Sequence, residues 1–219
     1  EADDGVIHLT HDIVKETVQT KPAFYDRQGD YHYDTISAFI KSVRGSDPDA
    51  AVYWLGVMLQ GGEDPRFIAR RLVILASEDI GNADPYGLTL AMNCFHAVEC
   101  VGMPEARIIL SQVTTYLAMA PKSNASCVAI DAVMSDLENI SKEEVPVHLK
   151  DAHYKGASRV GHGEGYLYPH DHGGHVSQSY RGSSKRYYFP KDSGREKAFK
   201  EKLELLLKKT GKTGTEPER

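Results

Sequence analysis

An all-α fold is what this 219-residue sequence predicts, and three observations carry the prediction. Asp-Pro pairs recur at Asp47-Pro48, Asp64-Pro65 and Asp84-Pro85, with a further proline at Pro104. An Asp side chain accepts the unpaired N–H groups of a first helical turn, and proline just after it forfeits no helical hydrogen bond. Gly61, Gly81 and Gly102 fall where the segments should stop, because a left-handed cap costs glycine least. Between these marks, apolar residues repeat at the spacing of a helix.

Taken in chain order, Thr10 caps a first helix carrying Ile13, Val14 and Val18. Ile36, Phe39, Ile40 and Val43 form a second, closed by Gly45. Helices over 48–60 (Ala51, Trp54, Leu55, Met58, Leu59) and 65–80 (Ile68, Leu72, Leu75, Ala76) come next. Two more cover 85–101 (Leu88, Ala91, Met92, Phe95, Val98) and 104–120 (Ile109, Val113, Tyr116, Leu117, Ala120). Pro121 ends the last of these, and Ser123 or Asn124 caps a helix to about Asn139 with Val133, Met134 and Leu137 on its apolar side. Connections of two to five residues fold consecutive helices back as antiparallel neighbours, which gives a bundle of stacked hairpins. Val52, Val57, Val73, Ile74, Leu90 and Ile108 lie off the main faces. A helix apolar nearly all round is either central in its bundle or covered by another chain.

Charge divides the chain near residue 140. Residues 1–140 hold 10 basic and 20 acidic side chains, whereas 141–219 hold 16 and 11, with ten glycines and six of the ten histidines. The second part therefore reads as an irregular Gly/His/Tyr-rich segment over 141–194, wrapping onto the bundle. Beyond it lies a Lys/Glu-rich helix from Arg195 to Lys209, with Phe199, Leu203, Leu206 and Leu207 on one face, then a frayed tail. A formal charge of −5 disfavours a protein that coats nucleic acid. Three cysteines without a CxxC pair disfavour a disulfide scaffold or zinc ribbon and fit a reducing cytoplasm. No apolar run approaches the roughly 18 residues of a membrane span, and no signal peptide is read. An opening at Glu1-Ala2-Asp3, without methionine, reads as a piece of a longer chain.

Several blocks resemble one family. They are the run Ser37–Leu55, which includes Asp47, Pro48 and Trp54; Ser77-Glu78-Asp79-Ile80-Gly81; Ala120-Pro121-Lys122-Ser123-Asn124-Ala125; Tyr168-Pro169-His170-Asp171; and Arg186-Tyr187-Tyr188-Phe189-Pro190. Together they resemble the C-terminal part of the RarA/MgsA replication-associated recombination ATPases, AAA+ relatives of clamp-loader subunits and of the eukaryotic Werner-helicase-interacting protein. The resemblance implies that residues 1–21 are a remnant of the AAA+ helical lid. It implies that 22–140 form a collar-like oligomerisation domain, that 141–194 belong to the same domain, and that 195–219 are the terminal helix and tail. It further implies a homotetramer in the cytoplasm, an intact parent that is a DNA-stimulated ATPase using ATP and Mg, and action at stalled forks with DNA and single-strand-binding protein.

The residues themselves exclude a nucleotide site of the P-loop kind. The one Gly-Lys-Thr is Gly211-Lys212-Thr213, and Leu206 stands where the motif needs a glycine. No Walker B strand is read either, so no catalytic or cofactor-binding residue is expected in this chain.

Other constellations each have a functional and a structural reading. His162, His170, Asp171, His172 and His175 could ligate zinc or nickel, but a glycine-rich segment does little to fix their geometry. Arg181, Lys185 and Arg186 beside Tyr180, Tyr187 and Tyr188 combine cations with stacking faces, the ingredients of single-strand binding; packing is the alternative. Tyr166, Tyr168, Tyr187 and Tyr188 are read as aromatic area laid over the bundle. Glu78 and Asp79 point about 100° apart on a helix, which suits ion pairing with Arg70, Arg71 or a neighbouring subunit better than acid–base work. Cys94 and His96 face different ways, so Cys94 and Cys100 read as packing. Lys122-Ser123-Asn124 opens a helix and reads as a cap with a solvated lysine, or as a phosphate-receiving end.

Overall fold

The computed structural model describes residues 30–139, 142–154 and 157–210. The helix expected around Thr10, the 1–21 remnant and the Gly211-Lys212-Thr213 tripeptide lie outside these. Seven α-helices are formed and no strand occurs among the described residues. They are α1 (Asp30–Arg44), α2 (Pro48–Gln60), α3 (Pro65–Leu75), α4 (Tyr86–Val101), α5 (Ala106–Met119), α6 (Ala125–Asn139) and α7 (Glu196–Thr210). The chain divides into two compact units, Glu1–Asn124 and Ala125–Arg219.

In the first unit, the Asp-Pro signals act as expected. The Ala50 N–H donates to Asp47 Oδ1 at 2.9 Å, and the Arg66 N–H to Asp64 Oδ1 at 2.9 Å. Asp84 accepts from the Tyr86 N–H at 3.2 Å and takes the Tyr116 hydroxyl on its other oxygen at 2.5 Å. Substituting Asp47→Ala is expected to lower stability by about 1 kcal/mol, the usual worth of such a cap, read as a shift in the urea midpoint with the slope unchanged.

The stops fall one residue later than the sequence implies at two places. Gly61 has φ −69, and Gly62 at φ 77 makes the left-handed turn; after α1 that role goes to Ser46, φ 62, in place of Gly45. Both helices complete another backbone bond before turning, Gly45 N–H to the Lys41 carbonyl and Gly61 N–H to the Val57 carbonyl. Gly81 and Gly102 do turn with positive φ. The helix expected over 65–80 is α only to Leu75, and Ala76–Ile80 widens into a π-helical turn.

α1 packs on α2, α3 on α4, and α5 lies against all four. Short connections therefore give two hairpins closed over a central fifth helix. α2 and α3 are joined by four residues yet are not principal neighbours, because each finds its apolar partner elsewhere. The core runs through Phe39, Val43, Leu55, Met58, Ile68, Leu72, Ile80, Leu110 and Leu117, none more than 2% exposed. Leu88 and Met92, expected in that core, are about two-fifths exposed at 40% and 38%. Ile74 and Ile108, read from the sequence as apolar residues off the main faces, are exposed as well.

The second unit contains α6, single 3-10 turns at Val147–Leu149, Ala157–Val160 and Pro169–His172, and α7. Between the helices the described residues have no other regular structure apart from these turns and isolated bonds, such as the two that Gln178 exchanges with the backbone of Leu167. Its buried side chains include Ala125, Val176 and Glu196. Tyr166 and Tyr168 are exposed, whereas Tyr187 and Tyr188 are half-buried. No helix of the described residues is long and apolar enough to cross a membrane.

Candidate functional site

Seven residues of the blocks that carry the family resemblance converge at one seam in the first unit: Arg44, Ser46, Glu78, Asp79, Gly81, Lys122 and Ser123. It is built around the π-helical turn. A π turn inserts one residue and rotates the positions beyond it, so Glu78 and Asp79 can address the same partner although an α-helix would splay them. That partner is Arg44, at the end of α1: its Nε donates to Asp79 Oδ1 at 2.6 Å and its Nη2 to Glu78 Oε1 at 3.0 Å. Arg70 and Arg71, the partners expected from the sequence, are not used. Asp79 is only 8% exposed, whereas Glu78 is open to solvent, so the two bonds differ in weight. The carboxylates hold the Arg44 guanidinium even further above its ordinary pKa, through the Asp79 hydrogen bond first.

The backbone closes the other side of the seam. The Ser123 N–H donates to the Asp79 carbonyl at 2.8 Å. Gly81 sits at φ 51, ψ −135, and a Cβ there would lie 2.7 Å from the Ser123 carbonyl oxygen. Glycine is therefore required twice, by conformation and by space.

Lys122 is half-buried and bonded within the first unit. Its Nζ donates to the carbonyls of Ala118 at 2.8 Å and Ala120 at 2.6 Å, and to Ser46 Oγ at 3.0 Å. A cation on the last carbonyls of α5 is favoured by the helix dipole. Burial lowers the Lys122 pKa, and the Asp79 charge partly offsets this. The seam thus ties the α1–α2 corner, the π turn and the end of α5 together. Asp47 and Pro48 start α2 beside it, Pro121 ends the run of α5, and α6 begins directly after Asn124. Trp54 is half-buried against the core, edge-on to Tyr53.

The second unit has its own polar clamp, on α6. Asp136 Oδ2 accepts from Lys185 Nζ at 2.5 Å and from the Tyr187 hydroxyl at 2.7 Å. Those bonds hold the Asp136 pKa below its usual value, the Lys185 bond first, and raise that of Tyr187. Arg181 and Lys185 both lie over the Tyr187 ring, at 4.7 and 5.3 Å, and Arg186 lies over Phe189 at 4.6 Å. Arg181 also reaches the Ser183 and Lys185 carbonyls and approaches Glu143. The cations considered for single-strand binding are thus engaged with their own unit. Tyr188 donates to Oε1 of Glu196 at 2.7 Å, at the start of α7.

The histidine segment stays spread out. His162 pairs with the Tyr154 hydroxyl at 2.9 Å, His170 lies near the Tyr168 ring, and His170, Asp171, His172 and His175 are exposed. Pro169–His172 form a 3-10 turn closed by Gly173 at φ 72. Among the described residues, no three His, Cys, Asp or Glu side chains come together as metal ligands. Cys94 is buried, and desolvation raises its thiol pKa to about 11, so it is no nucleophile at neutral pH.

Arg44, inside the Ser37–Leu55 run, is the seam residue to which the sequence reading gave no role. It lies 34 and 35 residues from its carboxylates, beyond the reach of any local spacing rule. The available signal was pairwise: an acidic pair at one helix end and two cations, Lys41 and Arg44, at another.

Comparison with known proteins gives two family matches. Residues 45–206 match the family described as MgsA AAA+ ATPase C terminal, and residues 1–44 match the AAA C-terminal domain family. The chain is 48% identical over 197 residues to an uncharacterized AAA domain-containing protein of Mycobacterium tuberculosis, covering 88% of this chain and 44% of that one. It is 44% identical over 214 residues to replication-associated recombination protein A of Bacillus subtilis, covering 95% and 51%. The Escherichia coli K12 protein of the same name is 40% identical over 209 residues, covering 93% and 47%. The chain spans about half the length of these curated relatives.

Proposed function

The chain belongs to the RarA/MgsA family of AAA+ ATPases and corresponds to its C-terminal region, and from that premise we propose that it is a non-catalytic oligomerisation module, forming a homotetramer. The observation that carries this reading is the surface of α6. Of its 15 residues only Ala125 is buried, and Ile130, Met134 and Leu137, at helical spacing on one face, are 55%, 54% and 47% exposed. Three large apolar side chains in a row facing water are the signature of a surface that another chain covers. Ile108 and Met119 on α5, 61% and 68% exposed, add a second such face.

In this reading the parent acts in DNA replication, recombination and repair at stalled forks, and meets DNA and single-strand-binding protein as an intact cytoplasmic assembly. ATP and Mg belong to another module, because the residues present here do not fit them: Leu206 occupies the glycine position that a phosphate-wrapping loop requires. Residues 1–21 then continue the AAA+ lid, 22–140 with the segment 141–194 form the assembly domain, and 195–219 supply its terminal helix and tail. The domain's work is positional. It sets ATPase modules at fixed spacing about a symmetry axis, so that turnover in one is felt by DNA held by several.

Light scattering at low micromolar concentration should give a mass near four times the 24.3 kDa of one chain. A monomer at high concentration would overturn the proposal. The double variant Ile130→Asp, Met134→Asp should move the mass to that of a monomer with the helical circular dichroism unchanged, since a charge at an apolar contact costs several kcal/mol. An unaltered tetramer would remove α6 from the interface.

A further inference from the structure

A groove of about 230 Å³ opens beside α1, lined there by Tyr33, Ile36, Ser37, Ile40, Lys41 and Arg44 and bounded by Arg71 from α3. Ile36 and Ile40, which pack with the core, supply its apolar part. The four polar α1 residues recur at intervals of four, four and three, so they form one row on the helix. Among the polar groups of the lining are three cationic heads and two hydroxyls, and no acidic residue.

The state of those cations identifies what is missing. Arg44 is engaged with Glu78 and Asp79. Arg71 and Lys41 have no hydrogen-bond or ion-pair partner among the described residues, and Arg71 Nε is buried without one. A buried guanidinium N–H without an acceptor costs more than a neutral group would, and a fork of such donors matches the oxygens of a tetrahedral oxyanion. Tyr33, 69% exposed, lies at the rim, its ring in a T-shaped contact with that of His32.

We propose that this groove binds a phosphate group, with Arg71 and Lys41 as its principal donors, Ser37 as a neutral donor and Arg44 as a fixed background charge. A carboxylate would satisfy Arg71 alone; two cationic heads without a carboxylate partner, Arg71 and Lys41, at one concavity favour the greater charge of phosphate. The phosphate can come from a free anion or from the backbone of a single strand, where Tyr33 would offer a stacking face to the adjoining base. The site lies wholly in the first unit and does not depend on the assembly reading.

The test uses the 219-residue chain, labelled with nitrogen-15, and follows its arginine side-chain Nε–H resonances during titration with inorganic phosphate at constant ionic strength. A saturable shift of the Arg71 resonance is expected. Arg71→Gln should weaken phosphate binding by about tenfold or more and Lys41→Gln by roughly threefold, whereas Arg70→Gln, an exposed neighbour outside the groove, should change it by less than about twofold. Lys41 is exposed, so its variant carries the test even if Arg71→Gln fails to fold. Fluorescence anisotropy with a labelled oligothymidylate of about 15 nucleotides separates the sources. Binding at least about tenfold tighter than phosphate, lost with Arg71→Gln and falling steeply with salt, assigns a strand; oligonucleotide binding no tighter than phosphate assigns the free anion. An Arg71 resonance that does not move in either titration, or equal weakening by Arg70→Gln and Lys41→Gln, overturns the proposal.

Discussion

Gly81→Ala is expected to destabilise the first unit by about 3 kcal/mol or more, and to lower the melting temperature by roughly 10 °C. Two costs combine. At φ 51, ψ −135 the backbone lies in a region that glycine alone enters readily, and no side chain can relax that. The added Cβ would also meet the Ser123 carbonyl oxygen at 2.7 Å. That oxygen is backbone, so the contact is relieved only by moving the α5–α6 connection away from the π turn. Such a shift would stretch the Ser123 N–H to Asp79 carbonyl bond of 2.8 Å. Gly102→Ala is the matched control: it has φ 73 but nothing within 4 Å of the added carbon, so it should lose only the conformational part, about 1 kcal/mol. Equal melting temperatures for the two variants would show that the close approach to Ser123 does not matter.

Arg44→Ala should cost about 2–3 kcal/mol. Removing the guanidinium leaves the Asp79 carboxylate 8% exposed with its strongest partner gone. Breaking a fully buried pair costs about 3–5 kcal/mol, and the value here is smaller because the Arg44 side chain is 44% exposed and water can replace part of it. Arg44→Lys should recover only part of the loss, since one ammonium does not reproduce two bonds directed at two carboxylates. Glu78→Ala should cost under about 1 kcal/mol, because its bond to Arg44 lies in solvent. Chemical denaturation of the three variants checks the order; Glu78→Ala as damaging as Arg44→Ala would contradict it.

The helices were legible because their signals are local. Asp47 and Asp64 announce their caps within three residues, and the apolar spacing of α2, α3 and α5 survives in the core as Leu55, Leu72 and Leu117. The features that escaped depend on distance or on a change of period. The π turn breaks the 3.6-residue rhythm at Ala76, so a helix drawn through to residue 80 misplaces Glu78 and Asp79 relative to each other. Leu88 and Met92 obey the helical pattern yet stay exposed, because periodicity marks a face without saying what covers it. The candidate seam was visible as motif residues and invisible as a unit. Its bonds join Arg44 to Asp79 and Ser46 to Lys122, positions 35 and 76 residues apart. The cationic segment near Tyr187 left packing and single-strand binding both open, because sequence does not show Asp136 on the adjoining helix bonding to Lys185 and Tyr187.

The change of family between residues 44 and 45 falls at the end of α1, yet Phe39 and Val43 are sunk to 1% and 0% exposure in the same interior as α5. The family boundary therefore does not coincide with a packing boundary: α1 shares its interior with the helices that follow, and Arg44 ties its end to the π turn.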